Sequence, residues 1–217
     1  MRVMEVKNER KKTNEMEYVD GMSMAERVLK RGFDFWGALL LLLVFSPLIV
    51  IIWIVLKCQR DGSPIFKQER IGYKGKPFNI YKFRSMRMDA EDGTPQLAQK
   101  RDERLTPVGR FLREHHLDEI PQLWNVLVGD MSFVGPRPER QYFIDEIMKH
   151  NPDYPVLYRM RPGVTSRATL YNGYTDTMEK MLIRLEMDLA YYQERTWLLD
   201  VKLLVLTFLQ IIFGKKF

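Results

Sequence analysis

The chain has 217 residues, of which 29% are charged and 46% hydrophobic, and it carries a formal net charge of +6. This composition excludes a disordered chain and suits one domain with a real core, to which further segments are appended. The basic balance indicates an anionic partner: nucleic acid, an anionic membrane face or a phosphorylated substrate. The single cysteine, Cys58, excludes an intramolecular disulfide, and the three histidines lack the Cys/His spacing of a zinc site.

The first 20 residues differ in composition from the rest of the chain. Residues 1–20 are polar and mixed in charge, which predicts a mobile N-terminal tail. They do not resemble a secretory signal, because no apolar run comes directly after the first basic residues. The tail is therefore set apart from residues 21–60, which we predict to be a membrane segment.

Within that segment, the 24-residue run from residue 33 to residue 56 is apolar and contains one charge, Asp34. As a straight helix it would extend about 36 Å, enough to cross a hydrocarbon core of ~30 Å. Ser46-Pro47 lies near its middle and predicts a break, because proline removes a backbone donor and clashes with the preceding turn. Basic residues flank both ends, which favours a cytoplasmic location for both. A spanning helix and a re-entrant helix–break–helix both remain open on these grounds.

Residues 61–217 predict a mostly helical α+β domain with a small β-hairpin. The hairpin is expected over residues 64–85, where two short apolar and aromatic runs are separated by glycines and a proline. A polar loop is expected next, at 87–104, and a rigid proline-rich loop at 132–138. Helices are predicted over 107–116, 118–128, 139–149, 178–195 and 197–213. The last one is apolar but too short to span a membrane, so we expect an interfacial or core helix.

Two neighbouring acids, Asp118 and Glu119, stand at the predicted start of a helix. The simplest interpretation is that they cap the helix and complement its dipole. The functional interpretation is a nucleophilic carboxylate beside a carboxylate that binds Mg²⁺, since an aspartate can attack phosphorus and Mg²⁺ can hold diphosphate oxygens. A helix N-terminus also favours a bound phosphate.

Two carboxylates need cations before they can approach a diphosphate. Arg84 ends the second predicted strand, Arg113 precedes Asp118 by five residues, and Arg137 stands between two prolines. Arginine pairs bidentately with phosphate oxygens, so these three are candidate substrate clamps. For each one, an ordinary surface arginine is the alternative.

The basic charge also raises the question of nucleic-acid binding. The sequence has no helix-turn-helix, RRM or zinc pattern, and its basic residues do not gather on one helix. It also lacks the glycine-rich motifs GxxxxGK[ST] and GxGxxG. We therefore expect no nucleic-acid partner.

Several motifs together resemble the bacterial sugar transferases, also called monotopic phosphoglycosyl transferases. The resemblance runs from about Lys30 to Asp200. Its elements are KRGFD (30–34), FSP (45–47), IFKQERIG (65–72), YKFRSM (81–86), LDEIPQLWNVLVGDMSFVGPRP (117–138) and RPGVT (161–165). The long element from 117 to 138 is the most specific of them.

The resemblance implies a reaction. A phosphosugar moves from a nucleoside-diphosphate sugar, usually a UDP-sugar, to a polyprenyl (undecaprenyl) phosphate, and UMP is released. The implied route is ping-pong through a covalent phosphosugar on Asp118, with Glu119 as the Mg²⁺ ligand. Arg137 would hold phosphate, with Arg84 and Arg113 in support.

The resemblance also implies a location and a pathway. The membrane element would be a re-entrant helix broken at Ser46 and Pro47, embedded in the lipids of the bacterial inner membrane. The active site would lie at the cytoplasmic face, where the reaction would begin synthesis of a cell-surface glycan: an exopolysaccharide, a capsule, an O-antigen or a glycoprotein.

One region departs from the family pattern. Many members continue RPG-[IV]-T with Gly-Trp-Ala and an NGR element, whereas this chain has Ser166-Arg167-Ala168 and later Tyr171-Asn172-Gly173-Tyr174. The donor sugar is therefore left open. Two other functions also remain possible: a single-pass membrane protein whose cytosolic domain binds partners, and a hydrolase that uses Asp118 to cleave a nucleotide sugar without a lipid acceptor.

Overall fold

The computed structural model describes residues 18–60, 62–90, 96, 97, 102–173 and 175–213. Residues 1–17 of the predicted tail lie outside the described residues, as do 91–95 and 98–101 of the predicted polar loop. The end of the predicted tail is held by the folded body. The Tyr18 hydroxyl donates to Asp153 at 2.9 Å, and the Asp20 carboxylate pairs with Arg195. Among the described residues of the predicted tail, Tyr18 and Asp20 are therefore tied to the folded body.

Helix α1 spans Met24–Cys58 and begins with a capping box between Ser23 and Glu26. It continues through Pro47, so the predicted break does not divide it into two helices. Because Pro47 has no N–H, the carbonyl of Leu43 loses its usual helical donor, and the Ser46 hydroxyl donates to that carbonyl at 2.8 Å. Within the described part of the chain, α1 is the one helix long and apolar enough to cross a membrane.

One face of α1 packs on the body of the protein and the other carries large exposed apolar side chains. Ala38, Ile52 and Leu56 are buried, whereas Trp36 and Leu43 are about two-thirds exposed, at 67% and 65%. An apolar face of this kind has no folded partner among the described residues, and it matches a helix surrounded by lipid.

The predicted hairpin is confirmed. Strands β1 (Ile65–Ile71) and β2 (Pro77–Phe83) pair antiparallel, with Ile65 opposite Phe83 and Ile71 opposite Pro77. The turn at Tyr73–Gly75 places Lys74 and Gly75 at positive φ, where glycine is tolerated without strain.

The remaining helices surround a second, parallel pair of strands. The helices are α2 (Pro107–Glu114), α3 (Gln122–Val128), α4 (Gln141–His150), α5 (Arg167–Asn172), α6 (Met178–Glu194) and α7 (Trp197–Phe213), with 3₁₀ turns at Leu117–Glu119 and Tyr154–Arg159. Strand β3 (Ser132–Val134) pairs parallel with β4 (Gly163–Thr165), so the predicted loop at 132–138 begins as a strand. The predicted mostly helical α+β class is confirmed.

Two apolar clusters hold these elements together. The larger one contains Val126, Met131, Ile144 and Leu203, and joins α3, α4 and α7. The smaller one contains Ile52, Leu56, Phe83 and Leu112, and joins the second half of α1 to β2 and α2. Ile120 packs against both clusters, which places the segment around Asp118 and Glu119 at their junction.

Candidate active site

Asp118 and Glu119, the acid pair, lie in the 3₁₀ turn at Leu117–Glu119, between α2 and α3; we call this turn the acid turn. His116 precedes this turn with φ 55° and ψ 17°, a left-handed conformation that is uncommon outside glycine. Helix α3 begins at Gln122 and not near residue 118, because Pro121 supplies no N–H and the chain tightens into a 3₁₀ turn before it. The interpretation of Asp118 as a side-chain cap is therefore wrong, since neither this turn nor α3 has a side-chain cap.

Glu119 is held by two cations. Lys82 Nζ lies 2.6 Å from its Oε1, and Arg137 Nη2 lies 3.1 Å from the same oxygen. Burial by itself would raise the pKa of Glu119, but the charges and hydrogen bonds of Lys82 and Arg137 lower this pKa well below its usual range. Glu119 is therefore ionised across the physiological pH range.

Asp118 has the opposite electrostatic character. It is only 6% exposed, and burial together with the neighbouring charge of Glu119 raises its pKa. The charges of Lys82 and Arg113 oppose this rise. Two adjacent carboxylates whose environments push their pKa values apart are a recurring sign that the two have different chemical roles.

Lys82 is a site residue that the sequence analysis did not single out. It lies on β2, where burial lowers its pKa and the charge of Glu119 raises it. A sequence signal was present, since Lys82 belongs to the motif YKFRSM that also contains Arg84. The pairing itself joins residues 37 positions apart, so it depends on how β2 docks beside the acid turn.

Asn125 on α3 fixes that docking. Its Oδ1 accepts from the backbone N–H of Tyr81 at 3.1 Å, and its Nδ2 donates to the carbonyl of Asn79 at 2.8 Å. Asn125 is fully buried, and its amide group satisfies the hydrogen-bonding needs of these two backbone groups at one edge of β2. The side chain next along the strand from Tyr81 is Lys82, which is held beside Glu119.

Arg113 also comes close to the acid pair. Its helix, α2, begins at the Thr106 cap, whose side chain accepts from Gly109 N at 2.9 Å. Gly109 packs so closely on Ser85 that a Cβ there would lie 1.8 Å from the Ser85 carbonyl oxygen. This contact sets α2 against the end of β2, and the charge of Arg113 acts on the pKa of Asp118.

The loop that carries Arg137 is fixed to β4 by two backbone hydrogen bonds just before Arg137. Gly135 N donates to Thr165 O at 3.0 Å, and Gly163 N donates to Pro136 O at 2.9 Å. A Cβ at Gly163 would lie 2.1 Å from Gly135 N, so the loop and β4 approach at a distance that only glycine allows. Arg137 is thus presented to Glu119 from a rigid support.

Arg84 has different partners from the other predicted arginines. It is only 4% exposed, and it donates to Ser63 O at 3.2 Å and to Leu56 O at 3.4 Å. These carbonyls lie at and just beyond the C-terminal end of α1, where a cation complements the helix dipole. Its described hydrogen bonds therefore place Arg84 at the end of α1 and not on the acid pair.

The family is established by comparison with known proteins. The model of the family described as "Bacterial sugar transferase" matches residues 25–214. The chain belongs to the bacterial sugar transferases. This match confirms the resemblance that the motifs indicated. The acid turn of this bacterial sugar transferase lies inside the matched region.

Individual relatives are similar over most of the chain. The UDP-glucose:undecaprenyl-phosphate glucose-1-phosphate transferase of Escherichia coli (strain K12) is 40% identical over 192 residues, which cover 88% of this chain and 41% of that protein. The UDP-N-acetylgalactosamine-undecaprenyl-phosphate N-acetylgalactosaminephosphotransferase of Aeromonas hydrophila is 37% identical, with 86% and 44% covered. The "Exopolysaccharide production protein PSS" of Rhizobium leguminosarum bv. phaseoli is 37% identical, with 82% and 92% covered. This chain spans less than half of the first two relatives.

The acid pair of this bacterial sugar transferase offers carboxylate oxygens that could bind a magnesium ion. Both cations bind Oε1 of Glu119, which leaves Oε2 and the Asp118 carboxylate as further anionic oxygens. No cluster of three or more metal-ligating side chains occurs among the described residues. Mg²⁺ commonly takes one or two carboxylates and completes its shell with water and substrate phosphates, so these residues fit Mg²⁺ held jointly with a diphosphate.

Proposed function

We propose that this chain transfers a sugar-1-phosphate from a UDP-sugar to undecaprenyl phosphate and releases UMP. The observation that carries the proposal is the acid turn, in which Asp118 and Glu119 have opposite pKa shifts beside Lys82, Arg113 and Arg137. The names of two relatives describe the same class of reaction. One buried and one half-buried carboxylate, flanked by three cations, suit a reaction that moves negative phosphoryl groups.

The first half-reaction places a phosphosugar on Asp118. The Asp118 carboxylate oxygen attacks the phosphorus that bears the sugar, and the bond between that phosphorus and the oxygen bridging to UMP breaks. UMP leaves with the bridging oxygen, and an acyl-phosphate remains on the protein. Burial of Asp118 strips water from the carboxylate, which makes it a stronger nucleophile once ionised.

The second half-reaction returns Asp118 to its starting state. A phosphate oxygen of undecaprenyl phosphate attacks the same phosphorus, and the acyl–oxygen bond to phosphorus breaks. The product is undecaprenyl diphosphate linked to the sugar, and the carboxylate is free again. Arg137 and Arg113 stabilise the charge that accumulates on the phosphoryl oxygens in both steps.

We also propose that the reaction uses Mg²⁺ as its cofactor. When bound, it would neutralise diphosphate oxygens and assist departure of UMP. Glu119 would hold it through Oε2, while Lys82 and Arg137 keep that carboxylate ionised and oriented through Oε1.

The membrane arrangement that we propose is re-entrant, with residues 21–60 inserted and 61–217 forming the cytosolic catalytic domain. Both ends of α1 bond to the same folded body. At the N-terminal end Gly21 N donates to Tyr192 O at 3.1 Å, and at the C-terminal end Leu56 O accepts from Arg84. A spanning helix would put these ends on opposite sides of a layer about 30 Å thick.

We place the bend of this re-entrant helix at Ser46 and Pro47. Pro47 has no N–H to donate to the Leu43 carbonyl, and a proline inside a helix is a common site of a kink.

The two proposed substrates determine where in the cell the acid turn must lie. The acceptor is a membrane lipid and the donor is water-soluble, so the acid turn must lie near a membrane surface. We place it at the cytoplasmic face of the bacterial inner membrane, with the exposed apolar face of α7 (Leu198, Val205 and Phe208) in the interface. The product would enter cell-surface glycan synthesis, as the name of the Rhizobium relative suggests for that protein.

A product assay tests the proposed function. The purified protein is incubated with UDP-glucose or UDP-N-acetylgalactosamine, undecaprenyl phosphate and Mg²⁺, and UMP is measured with and without each component. UMP in molar excess over the enzyme that forms only when the lipid is present, together with a lipid-linked sugar, supports the transferase. Lipid-independent sugar phosphate at the same rate would support the hydrolase, and no turnover with any donor would favour the binding protein.

A further inference from the structure

A buried ion cluster outside the acid turn connects to the loop that carries Arg137. Glu139 comes directly after that loop and is 6% exposed. One of its carboxylate oxygens accepts from Arg184 on α6, and the other accepts from Arg70 on β1 at 3.2 Å. The backbone of Glu139 is also fixed, because its carbonyl accepts from Ile71 N at 2.9 Å.

Arg184 has a second partner on a different segment. Its Nη1 donates to the hydroxyl of Thr175 at 2.8 Å, while its Nη2 donates to Glu139. Thr175 comes shortly after Tyr171 and Asn172, which belong to the region where this sequence departs from the family pattern. One planar guanidinium therefore joins Glu139, next to the Arg137 loop, to the residue just after the segment that departs from the family pattern.

The contact between Arg184 and Glu139 is buried, so breaking it would be energetically costly. The side chains of Arg184 and Glu139 are each 8% exposed, and a buried charge that loses its partner is strongly destabilised. Pro138 lies between Arg137 and Glu139 and restricts the backbone between them. A shift of Glu139 is therefore passed to Arg137 and is not absorbed by a flexible link.

We infer that Arg184 is a positioning residue for the donor. It holds the segment at Thr175 against the loop of Arg137, so that the nucleotide sugar meets both as one rigid surface. This inference rests on the proposed function. We thereby assign donor positioning to a residue that has no described hydrogen bond to Asp118 or Glu119, through a contact made at Thr175, just after the residues that depart from the family pattern.

The chemistry predicts a defect in donor binding more than in the chemical step. When Arg184 no longer holds Thr175, that segment loses contacts that form with the donor before reaction, while Glu139 keeps Arg137 in place. Such a loss raises KM with kcat little changed. Lysine at position 184 keeps the charge but has a single ammonium group, which cannot bridge Glu139 and Thr175 in the same geometry. The donor KM should therefore rise less in Arg184→Lys than in Arg184→Met.

Thr175→Val is the most selective test, because it removes one hydroxyl and leaves the buried pair of Glu139 and Arg184 intact. The matched control is Asp176→Asn, the neighbouring residue, which pairs with Lys180 on the surface. KM and kcat for each UDP-sugar are measured for the wild type and for both variants, with apparent melting temperatures as a check of folding.

We expect Thr175→Val to raise the donor KM threefold to tenfold, to change kcat less than twofold and to alter the preference between two UDP-sugars. Asp176→Asn should match the wild type. The inference is overturned if Thr175→Val keeps the wild-type KM for every donor, or if Asp176→Asn shows the same rise. A wild-type protein without turnover on any UDP-sugar would instead reject the proposed function, and the inference with it.

Discussion

Lys82 Nζ lies 2.6 Å from Oε1 of Glu119, although the two residues are 37 positions apart in the chain. The contact exists because Asn125 binds the edge of β2 and sets that strand beside the acid turn. Lys82 keeps Glu119 ionised, and the charge of Glu119 in turn raises the pKa of Asp118. The lysine therefore separates the electrostatic roles of two adjacent acids.

Replacing Lys82 should remove most of the activity. In Lys82→Met, Glu119 keeps Arg137 but loses its nearer cation, so its pKa should rise and its hold on Mg²⁺ should weaken. We expect kcat/KM for UMP release to fall at least ~100-fold, the range seen when one preorganised charged contact is removed from an active site.

Lys67→Met is the matched control for this change. Lys67 is an exposed lysine of the same hairpin whose Nζ lies 5.7 Å from the centre of the Tyr81 ring. It should retain activity within about twofold of the wild type. Equal losses in the two variants would mean that the hairpin as a whole, and not the contact with Glu119, is needed.

Metal removal should abolish turnover. EDTA is expected to stop UMP release, and added Mg²⁺ should restore it, because the diphosphate would otherwise bring uncompensated charge to two carboxylates. Glu119→Gln should need a higher Mg²⁺ concentration for half-maximal rate, at least tenfold above the wild type. If EDTA leaves the wild-type rate of UMP release unchanged, Glu119 does not act as a Mg²⁺ ligand.

Stability should fall as pH rises because of Asp188. Burial raises the pKa of Asp188 to about 7, despite the opposing charge of Arg184 and with a smaller contribution from Glu139. Between its ordinary pKa and about 7, the folded state keeps a proton that the unfolded state has lost, so the free energy of unfolding decreases with pH in that window. One pKa unit corresponds to about 1.4 kcal/mol, so the full decrease is a few kcal/mol.

Melting curves of the detergent-solubilised protein between pH 5 and pH 8 check this expectation. Asp188→Asn should flatten the pH dependence between pH 5 and pH 7, since the amide does not titrate. Asp145→Asn, which changes an exposed aspartate on α4, should keep the wild-type slope. A slope unchanged by Asp188→Asn would contradict the assignment.

Membrane topology can be read by labelling. In a Cys58→Ser background, single cysteines replace Val19 and Lys76, two exposed residues on either side of α1 in the sequence. The re-entrant arrangement predicts that an impermeant thiol reagent reaches both positions from the cytoplasmic side, in inverted vesicles, and neither from the other side. Labelling from opposite sides would establish a spanning helix.

The sequence predicted the elements whose signals are local. Helix α7 is predicted over 197–213 and observed at Trp197–Phe213, because its apolar run and its flanking polar residues lie within one segment. The hairpin is likewise marked by its glycines and its proline. The predicted start of α3 is four residues too early, since the effect of Pro121 and of the left-handed His116 is to insert a 3₁₀ turn.

The site was predictable only in part, because much of it is built by long-range contacts. Asp118, Glu119 and Arg137 lie in one continuous motif, and the structure brings Arg137 onto Glu119. Lys82 was missed because its role depends on the docking of β2. Arg84, two residues further on, was predicted to face the substrate, but its described hydrogen bonds go to carbonyls at the end of α1. A residue's position within a motif did not reveal which way its side chain turns.

The proposed covalent phosphosugar on Asp118 can be detected by trapping it before the lipid reacts. The protein is mixed with a UDP-sugar and Mg²⁺ in the absence of any lipid acceptor, quenched, digested and examined by mass spectrometry. We predict one equivalent of UMP per active site and a peptide containing Asp118 whose mass has increased by one sugar phosphate less water. Undecaprenyl phosphate added before the quench should discharge this adduct, and Asp118→Asn should never form it. A wild-type protein that turns over with lipid yet yields neither the UMP burst nor the adduct would contradict the covalent mechanism.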